Sequence, residues 1–186
     1  MKFGCLPENY HAGLIERACN KLLLIPALML AIVFILPANS AAQIIRQDLL
    51  SNWEFCESEQ LEWMRASVPG TVHTDLLALG KIPDPFVADH EKDVQWVENK
   101  TWQYKTTFDC DKELWKQKRK QIIFEGLDTY ADVYLNDSLL FTCESMFISF
   151  AADVDHILRK KENTLLIIFH PVSELIEKRA NSFSKK

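Results

Sequence analysis

The chain has 186 residues, of which 48% are apolar and 25% are charged, and its formal net charge at pH 7 is −5. This length suits one domain with a short appendage, and it is too short for a barrel enzyme of roughly 250 residues. Five glycines, seven prolines and 11% aromatic residues exclude a collagen-like or disordered chain. The acidic balance also argues against a nucleic-acid partner, because no basic stripe is present to neutralise phosphates.

The amino-terminal segment has the pattern of a secretory signal peptide. An unbroken apolar run at residues 22–36 follows two basic residues and precedes the small residues 38–42. This order predicts a signal peptide at residues 1–42 that is cleaved after Ala42. The rival interpretation is an uncleaved signal anchor, because the uncharged run reaches transmembrane length when it is extended to Ile45. Cleavage is favoured, since the apolar part alone is shorter than the roughly 20 residues that a span requires.

Cleavage would place residues 43–186 in an oxidising compartment with three cysteines, Cys56, Cys110 and Cys143. An odd number allows one disulfide and one thiol, and the pairing stays open. Two acceptor sequons begin at Asn99 and Asn136. They suit the same compartment and predict that both asparagines are glycosylated at the surface.

The next elements along the chain are a short helix and a strand. Residues 74–79 have helix-starting side chains and are followed by Gly80, which predicts one or two capped turns. The segment Trp102–Phe108 alternates large and polar residues, so every second side chain lies on one face of a half-buried strand. Residues 111–120 fit either a second helix or a solvated connection, because they are rich in charge.

Several short strands follow at regular spacing. They are predicted at residues 121–124, 132–135, 138–142, 148–152 and 165–169. Asn136 and Asp137 lie between two of them, and both residue types tolerate positive φ, which predicts a tight hairpin. Many short strands with few helices indicate an all-β fold, an antiparallel β-sandwich.

The histidines, serines and glycines do not occur at the spacings of common catalytic, metal or phosphate sites. No histidine pair fits zinc, no serine lies in a nucleophile elbow and the glycines form no phosphate cradle, so no metal and no cofactor are predicted. Carboxylates crowd between Asp84 and Glu98, near Trp96, and paired carboxylates beside aromatics perform glycoside hydrolysis. A solvent-facing acidic loop is the favoured interpretation, because proximity in sequence does not establish a catalytic pair about 5 Å apart. Most of the five tryptophans are expected in the core, with Trp96 as the exception.

The order of several motifs is more specific than any single residue. VPGTVHTDLL at 68–77, GKIPDPF at 80–86, VQWV at 94–97 and FEGLDTYADVYLN at 124–136 follow one another along the chain. This order closely resembles the amino-terminal domain of β-mannosidases of glycoside hydrolase family 2. The resemblance extends from about Trp53 to Pro171.

The resemblance implies a jelly-roll, or galactose-binding-like, sandwich at residues 43–186 that is incomplete at its carboxyl end. In the family this domain precedes an immunoglobulin-like domain and a catalytic barrel, on which two glutamates remove terminal non-reducing β-D-mannose with retention. The chain ends before such a barrel, so we expect no catalytic residue and no hydrolysis from it. A β-mannoside oligosaccharide would be a ligand of the parent enzyme only.

The resemblance also implies a place in glycoprotein catabolism, with a lysosomal or secreted location and membrane contact only if the signal segment is uncleaved. It points to Trp96, His90 and Glu91 as contacts to the sugar, with His90 at a position where the family commonly has asparagine. The alternative is a free-standing secreted module that binds a carbohydrate or a protein.

Overall fold

The computed structural model describes residues 44–173, 175–176 and 180. The described residues from Ile45 onward belong to one compact unit. The predicted signal peptide lies outside the described residues, so its cleavage stays a prediction. Within the described part, no helix has the length and apolar character needed to cross a membrane.

The described part contains eight strands and several short helices. The strands are β1 (Glu54–Glu57), β2 (Met64–Arg65), β3 (Trp102–Phe108), β4 (Gln121–Phe124), β5 (Ala131–Leu135), β6 (Ser138–Cys143), β7 (Phe150–Asp153) and β8 (Asn163–Phe169). The helices that precede β8 are α1 (Val72–Ala78), α2 (His90–Asp93), a 3₁₀ helix (Gln95–Asn99) and α3 (Lys112–Trp115). The six predicted strands are all confirmed, with β3 and β4 at the predicted bounds and β7 displaced toward the carboxyl end. Strands β1 and β2 were not predicted.

Helix α1 begins earlier than predicted because its cap lies at Thr71. The Thr71 hydroxyl accepts a hydrogen bond from the Thr74 amide at 3.2 Å, and the Thr74 hydroxyl accepts one from the Thr71 amide at 2.9 Å. This reciprocal capping box satisfies two amides that a helix start leaves unpaired. The helix ends at Ala78, and Gly80 follows with a φ of 65°, a conformation that glycine adopts without strain.

Two predicted connections differ from the expectation. Residues 111–120 contain only the single turn α3, so the helix alternative was right for four residues. The acidic segment between Asp84 and Glu98 is a folded segment that contains α2 and the start of the 3₁₀ helix, although its five carboxylates are solvent-exposed as expected.

The strands pair antiparallel in two sheets. The larger sheet has the order β2-β1-β3-β8-β5-β6, and the smaller sheet consists of β4 and β7. Residues that face each other across an antiparallel ladder share a face of the sheet. One such row crosses five strands and consists of Phe55, Tyr104, Ile167, Val133 and Phe141. The first four of these side chains are at most 6% exposed, so this row forms the floor of the core.

The second layer closes over this floor in two parts. Ile122, Phe124 and Phe150 of the small sheet pack against the core, and the Phe150 ring stacks on Phe141 with centroids 5.1 Å apart. Leu76 of α1 and Val97 of the 3₁₀ helix cover the other part, each only 2% exposed. The predicted all-β sandwich is therefore confirmed, with short helices completing one side of it.

A buried polar contact joins α1 to the larger sheet. Asp75 is 4% exposed and accepts hydrogen bonds from the Ser67 amide at 2.9 Å and the Tyr104 hydroxyl at 3.0 Å. Burial, and then the neighbouring Asp75 carboxylate, raise the pKa of Tyr104 far above its usual range. The folded chain thus holds this proton more tightly than the unfolded chain, so the stabilisation is complete below the ordinary tyrosine pKa of about 10 and is lost as the pH rises above it.

We expect Tyr104→Phe to lower the free energy of unfolding by about 1–3 kcal/mol, because it leaves one oxygen of a buried carboxylate without its donor. Urea denaturation at pH 7 measures this change. Tyr134→Phe is the matched control, since the Tyr134 hydroxyl forms no hydrogen bond with a described residue, and a change within about 0.5 kcal/mol is expected there. Equal effects of the two substitutions would contradict the assignment.

Candidate functional site

Several connecting segments meet at one end of the larger sheet. Trp102, Phe169, Ala131 and Cys143 form the last facing row at that end. The 3₁₀ helix leads into β3 there, residues 125–130 lead into β5, and residues 144–149 leave β6. These three segments together are termed the Trp96 end of the sandwich.

The Trp96 end exposes large apolar side chains. Trp96 is 40% exposed, Met146 43%, Phe147 87% and Ile148 53%. Exposed apolar side chains that are grouped and surrounded by polar residues are typical of surfaces that bind a partner or ligand. Sequence reasoning did not assign a function to residues 146–148, although an apolar triplet in a connection between strands was the available signal.

The five tryptophans divide between the core and the surface. Trp53 and Trp102 are buried, and Trp63 is half-buried with the Lys105 Nζ 3.7 Å from its ring centroid. Trp96 is exposed as predicted, and its ring lies 6.1 Å from that of Trp102. Trp115 is also exposed, at 36%. The expectation that most tryptophans fill the core is therefore wrong, because single-turn helices such as α3 have no buried face deep enough for a whole indole ring.

The predicted sugar contacts are neighbours along the chain: His90 and Glu91 lie on α2, and Trp96 lies on the 3₁₀ helix that follows. His90 is half-buried, and its Nδ1 donates to the Asp84 carbonyl at 3.0 Å. Glu91 is exposed on α2. A cavity of about 320 Å³ lies between β6 and β7, lined by residues such as Phe141 and Phe150, and none of the three predicted residues borders it. Their role as sugar contacts stays a prediction.

The buried carboxylates serve structural contacts. Besides Asp75, only Glu57 is a buried acidic residue in the described part. Glu57 pairs with the Lys100 Nζ at 2.8 Å and accepts from Gln60 Nε2 at 2.7 Å, while Lys100 also reaches Glu59 at 2.8 Å. Hydrogen bonds to Glu57, and then to Glu59, raise the pKa of Lys100 well above its usual range. Glu57 therefore takes part in an ion pair that links β1 to the segment preceding β3.

The described residues offer no evident place for a metal ion. No group of three or more histidine, cysteine or acidic side chains converges within this part of the chain.

The two predicted glycosylation sites have opposite environments. Asn99 is exposed at the end of the 3₁₀ helix. Asn136 does occupy the predicted hairpin turn, with φ of 49°, and Asp137 follows with φ of 66°. However, the Asn136 side chain is turned into the protein and is only 8% exposed. The expectation that Asn136 lies at the surface is wrong, because its amide completes buried hydrogen bonds.

The three cysteines are all buried and unpaired in the described part of the chain. Cys56 and Cys143 have no exposed surface, and Cys110 is 7% exposed. Burial raises the pKa of each thiol. The disulfide that the cysteine count allowed is not formed in this structure: Cys56 lies in β1, Cys110 lies between β3 and α3, and Cys143 ends β6.

A comparison with known families decides the family of this chain. Residues 53–186 match the glycosyl hydrolase 2 galactose-binding domain-like family. The chain belongs to this family. The motif order had predicted this assignment, which is therefore confirmed.

Among curated relatives of this galactose-binding-like domain, two illustrate the range of similarity. β-Mannosidase B of Thermothelomyces thermophilus is 36% identical over 121 residues, which cover 63% of this chain and 14% of the relative. A probable β-mannosidase of Caenorhabditis elegans is 28% identical over 141 residues, which cover 74% of this chain and 15% of the relative. The chain thus spans 14–15% of the length of these relatives.

Solved structures show the same relationship. The β-D-mannosidase from Dictyoglomus thermophilum superimposes with a TM-score of 0.68 at 39% identity, over 72% of this chain and 16% of that one. The exo-chitosanase CsxA of Amycolatopsis orientalis shares the fold. It superimposes with a TM-score of 0.56 at 21% identity, over 64% of this chain and 16% of that one. The galactose-binding-like domain described here therefore corresponds to the amino-terminal domain of β-mannosidases, and it does not include their catalytic barrel.

We expect Cys56, Cys110 and Cys143 to resist iodoacetamide in the native protein at pH 7 and to react once urea unfolds it. Burial hides the sulfurs, and the raised pKa keeps the reactive thiolate rare. Peptide mass spectrometry identifies the label at each position. Fast labelling of the native chain, or disulfide-linked peptides containing two of these cysteines, would contradict the structure.

Proposed function

We propose that this chain supplies the non-catalytic amino-terminal sandwich of an exo-β-mannosidase, which removes terminal non-reducing β-D-mannose during the breakdown of N-glycans. One observation carries the proposal: the domain is 39% identical to a β-D-mannosidase with a TM-score of 0.68, yet it spans only 16% of that enzyme. A β-mannoside oligosaccharide would then be the substrate of the whole enzyme.

The contacts of the described carboxylates favour a structural, non-catalytic role for this domain. Glu57 and Asp75, the buried carboxylates, are held in structural contacts, and the carboxylates of the acidic segment face solvent. The Trp96 end offers apolar side chains, Phe147 above all, that would be covered by a neighbouring domain. Such contact would hold the sandwich against the part of the enzyme that carries the catalytic acid and nucleophile.

The proposal extends to the location of the protein. A cleaved signal peptide at residues 1–42 would direct it into the secretory pathway as a glycoprotein, and onward to the lysosome or out of the cell. The apolar run at residues 22–36 with its small-residue exit supports this proposal. The exposed sequon at Asn99 and a substrate found on glycoproteins are consistent with it.

The second candidate is a free-standing module that binds a carbohydrate. The exposed ring of Trp96 favours it, since aromatic rings with one open face stack on sugars. His90 and Glu91 lie on the preceding helix α2 and would add polar contacts. The two candidates differ in whether the isolated chain binds sugar.

We expect the purified 186-residue chain to release no p-nitrophenol from p-nitrophenyl β-D-mannoside above a blank preparation. We also expect mannobiose to cause no saturable change in its tryptophan fluorescence. Both results follow if the catalytic and sugar-holding groups lie elsewhere in the enzyme.

Trp96→Ala provides the control for the binding measurement. A saturable fluorescence change that disappears in this variant would establish the carbohydrate-binding module instead. Hydrolysis that co-purifies with the folded chain would exclude a non-catalytic role.

Amino-terminal sequencing of the protein recovered from secreting cells tests the signal peptide. A mature start near Gln43 is expected, because the small residues that precede it form the cleavage site. Recovery of the chain in the membrane fraction with residues 22–36 intact would show a signal anchor.

A further inference from the structure

The two sequons differ in how their side-chain amides are used. An asparagine amide nitrogen carries two hydrogens, and attachment of a glycan replaces one of them. A glycosylated asparagine can therefore donate one hydrogen bond from Nδ2. The hydrogen bonds at each site consequently indicate which asparagine can carry a glycan in the folded domain.

Asn99 uses only one of the two hydrogens on its Nδ2 for a hydrogen bond within the described part. Its Nδ2 donates to the Gln95 carbonyl at 3.1 Å, and no second acceptor for it is present among the described residues. The side chain is exposed. The neighbouring Lys100 forms ion pairs with Glu57 and Glu59. A glycan could replace the unused hydrogen and leave the bond to Gln95 intact.

Asn136 uses both hydrogens on its Nδ2 for hydrogen bonds within the fold. Its Nδ2 donates to the Ile157 carbonyl at 2.9 Å and to Asn163 Oδ1 at 3.0 Å, while its Oδ1 accepts from the Thr164 amide at 3.0 Å. Asn163 is fully buried. A glycan on Asn136 would remove one of these donors and would have to leave through packed protein. The modification and the folded hairpin exclude each other.

We propose that Asn99 is the N-glycosylation site of this domain and that the amide of Asn136 is reserved for the buried hydrogen bonds of the fold. The sequence contains no other sequon.

In the transfer, Nδ2 of Asn99 forms a bond to C1 of the first N-acetylglucosamine, and the bond from C1 to a lipid-diphosphate carrier breaks. The diphosphate leaves with the bonding electron pair, and one amide proton passes to the transferase. This proposal rests on the secretory location proposed above.

The position of Asn99 also bears on the Trp96 end. Residues three apart on a 3₁₀ helix lie on the same side, so a glycan at Asn99 would stand beside the exposed ring of Trp96. A sugar-binding measurement on Trp96 is therefore best made with and without this glycan.

The test compares three full-length chains made in a eukaryotic secretory cell: wild type, Thr101→Val and Ser138→Ala. Each substitution destroys one sequon and keeps its asparagine, so the buried contacts of Asn136 stay intact. Ser138 is exposed at the start of β6, which makes its replacement mild. Peptide-N-glycosidase F is expected to lower the mass of wild type and Ser138→Ala by one glycan and to leave Thr101→Val unchanged. The enzyme converts the modified asparagine to aspartate, so peptide mass spectrometry identifies the position.

A glycan on Asn136 of the soluble folded protein would overturn the proposal. Loss of the glycan in Ser138→Ala with retention in Thr101→Val would overturn it as well. A parallel set of chains behind a cleavable heterologous secretory leader separates this proposal from the proposed location. A glycan at Asn99 only in the chains that carry the leader would disprove the native signal while supporting the site. Absence of any glycan even with the leader would overturn the site itself.

Discussion

Strand β8, the last strand of the described part, lies in the middle of the larger sheet and joins its two halves. It faces β3 through seven residue pairs and β5 through five. The β3 side carries β1 and β2, and the β5 side carries β6. Ile167 therefore completes the buried row between Tyr104 and Val133, and the floor of the core is continuous only when β8 is in place.

The first residue of β8, Asn163, adds side-chain hydrogen bonds to the apolar contacts of this row. Asn163 Nδ2 donates to the Phe108 carbonyl at 3.3 Å and the Arg159 carbonyl at 2.7 Å, and its Oδ1 accepts from Asn136. These bonds tie β3, β8 and the β5–β6 hairpin together at the end of the sheet opposite the Trp96 end. The two ends of the sheet therefore differ. Polar side chains join the strands at the Asn163 end, whereas the Trp96 end exposes apolar side chains to solvent.

Strands with alternating side chains could be predicted from the sequence because only one of their faces is buried. β3 is the clearest case, with Trp102, Tyr104 and Thr106 buried as expected. β1 escaped prediction because Phe55, Cys56 and Glu57 are all buried, so the strand shows no alternation. For the candidate site, the exposure of Trp96 was predicted, but the placement of the 3₁₀ helix and of residues 144–149 at the same end of the sheet depends on the strand register and could not be inferred from local patterns.

The sequence by itself determined six of the eight strands in the described part, the hairpin at Asn136 and Asp137, and the β-mannosidase-type family, because alternation, turn chemistry and motif order are local properties of the chain. Only the tertiary structure decided which sequon is open, which tryptophans face solvent and that the three cysteines are enclosed separately. These are properties of burial, and burial depends on partners distant in sequence. Asn136 shows the difference: its turn is set by two adjacent residues, whereas the use of its amide depends on Ile157, Asn163 and Thr164.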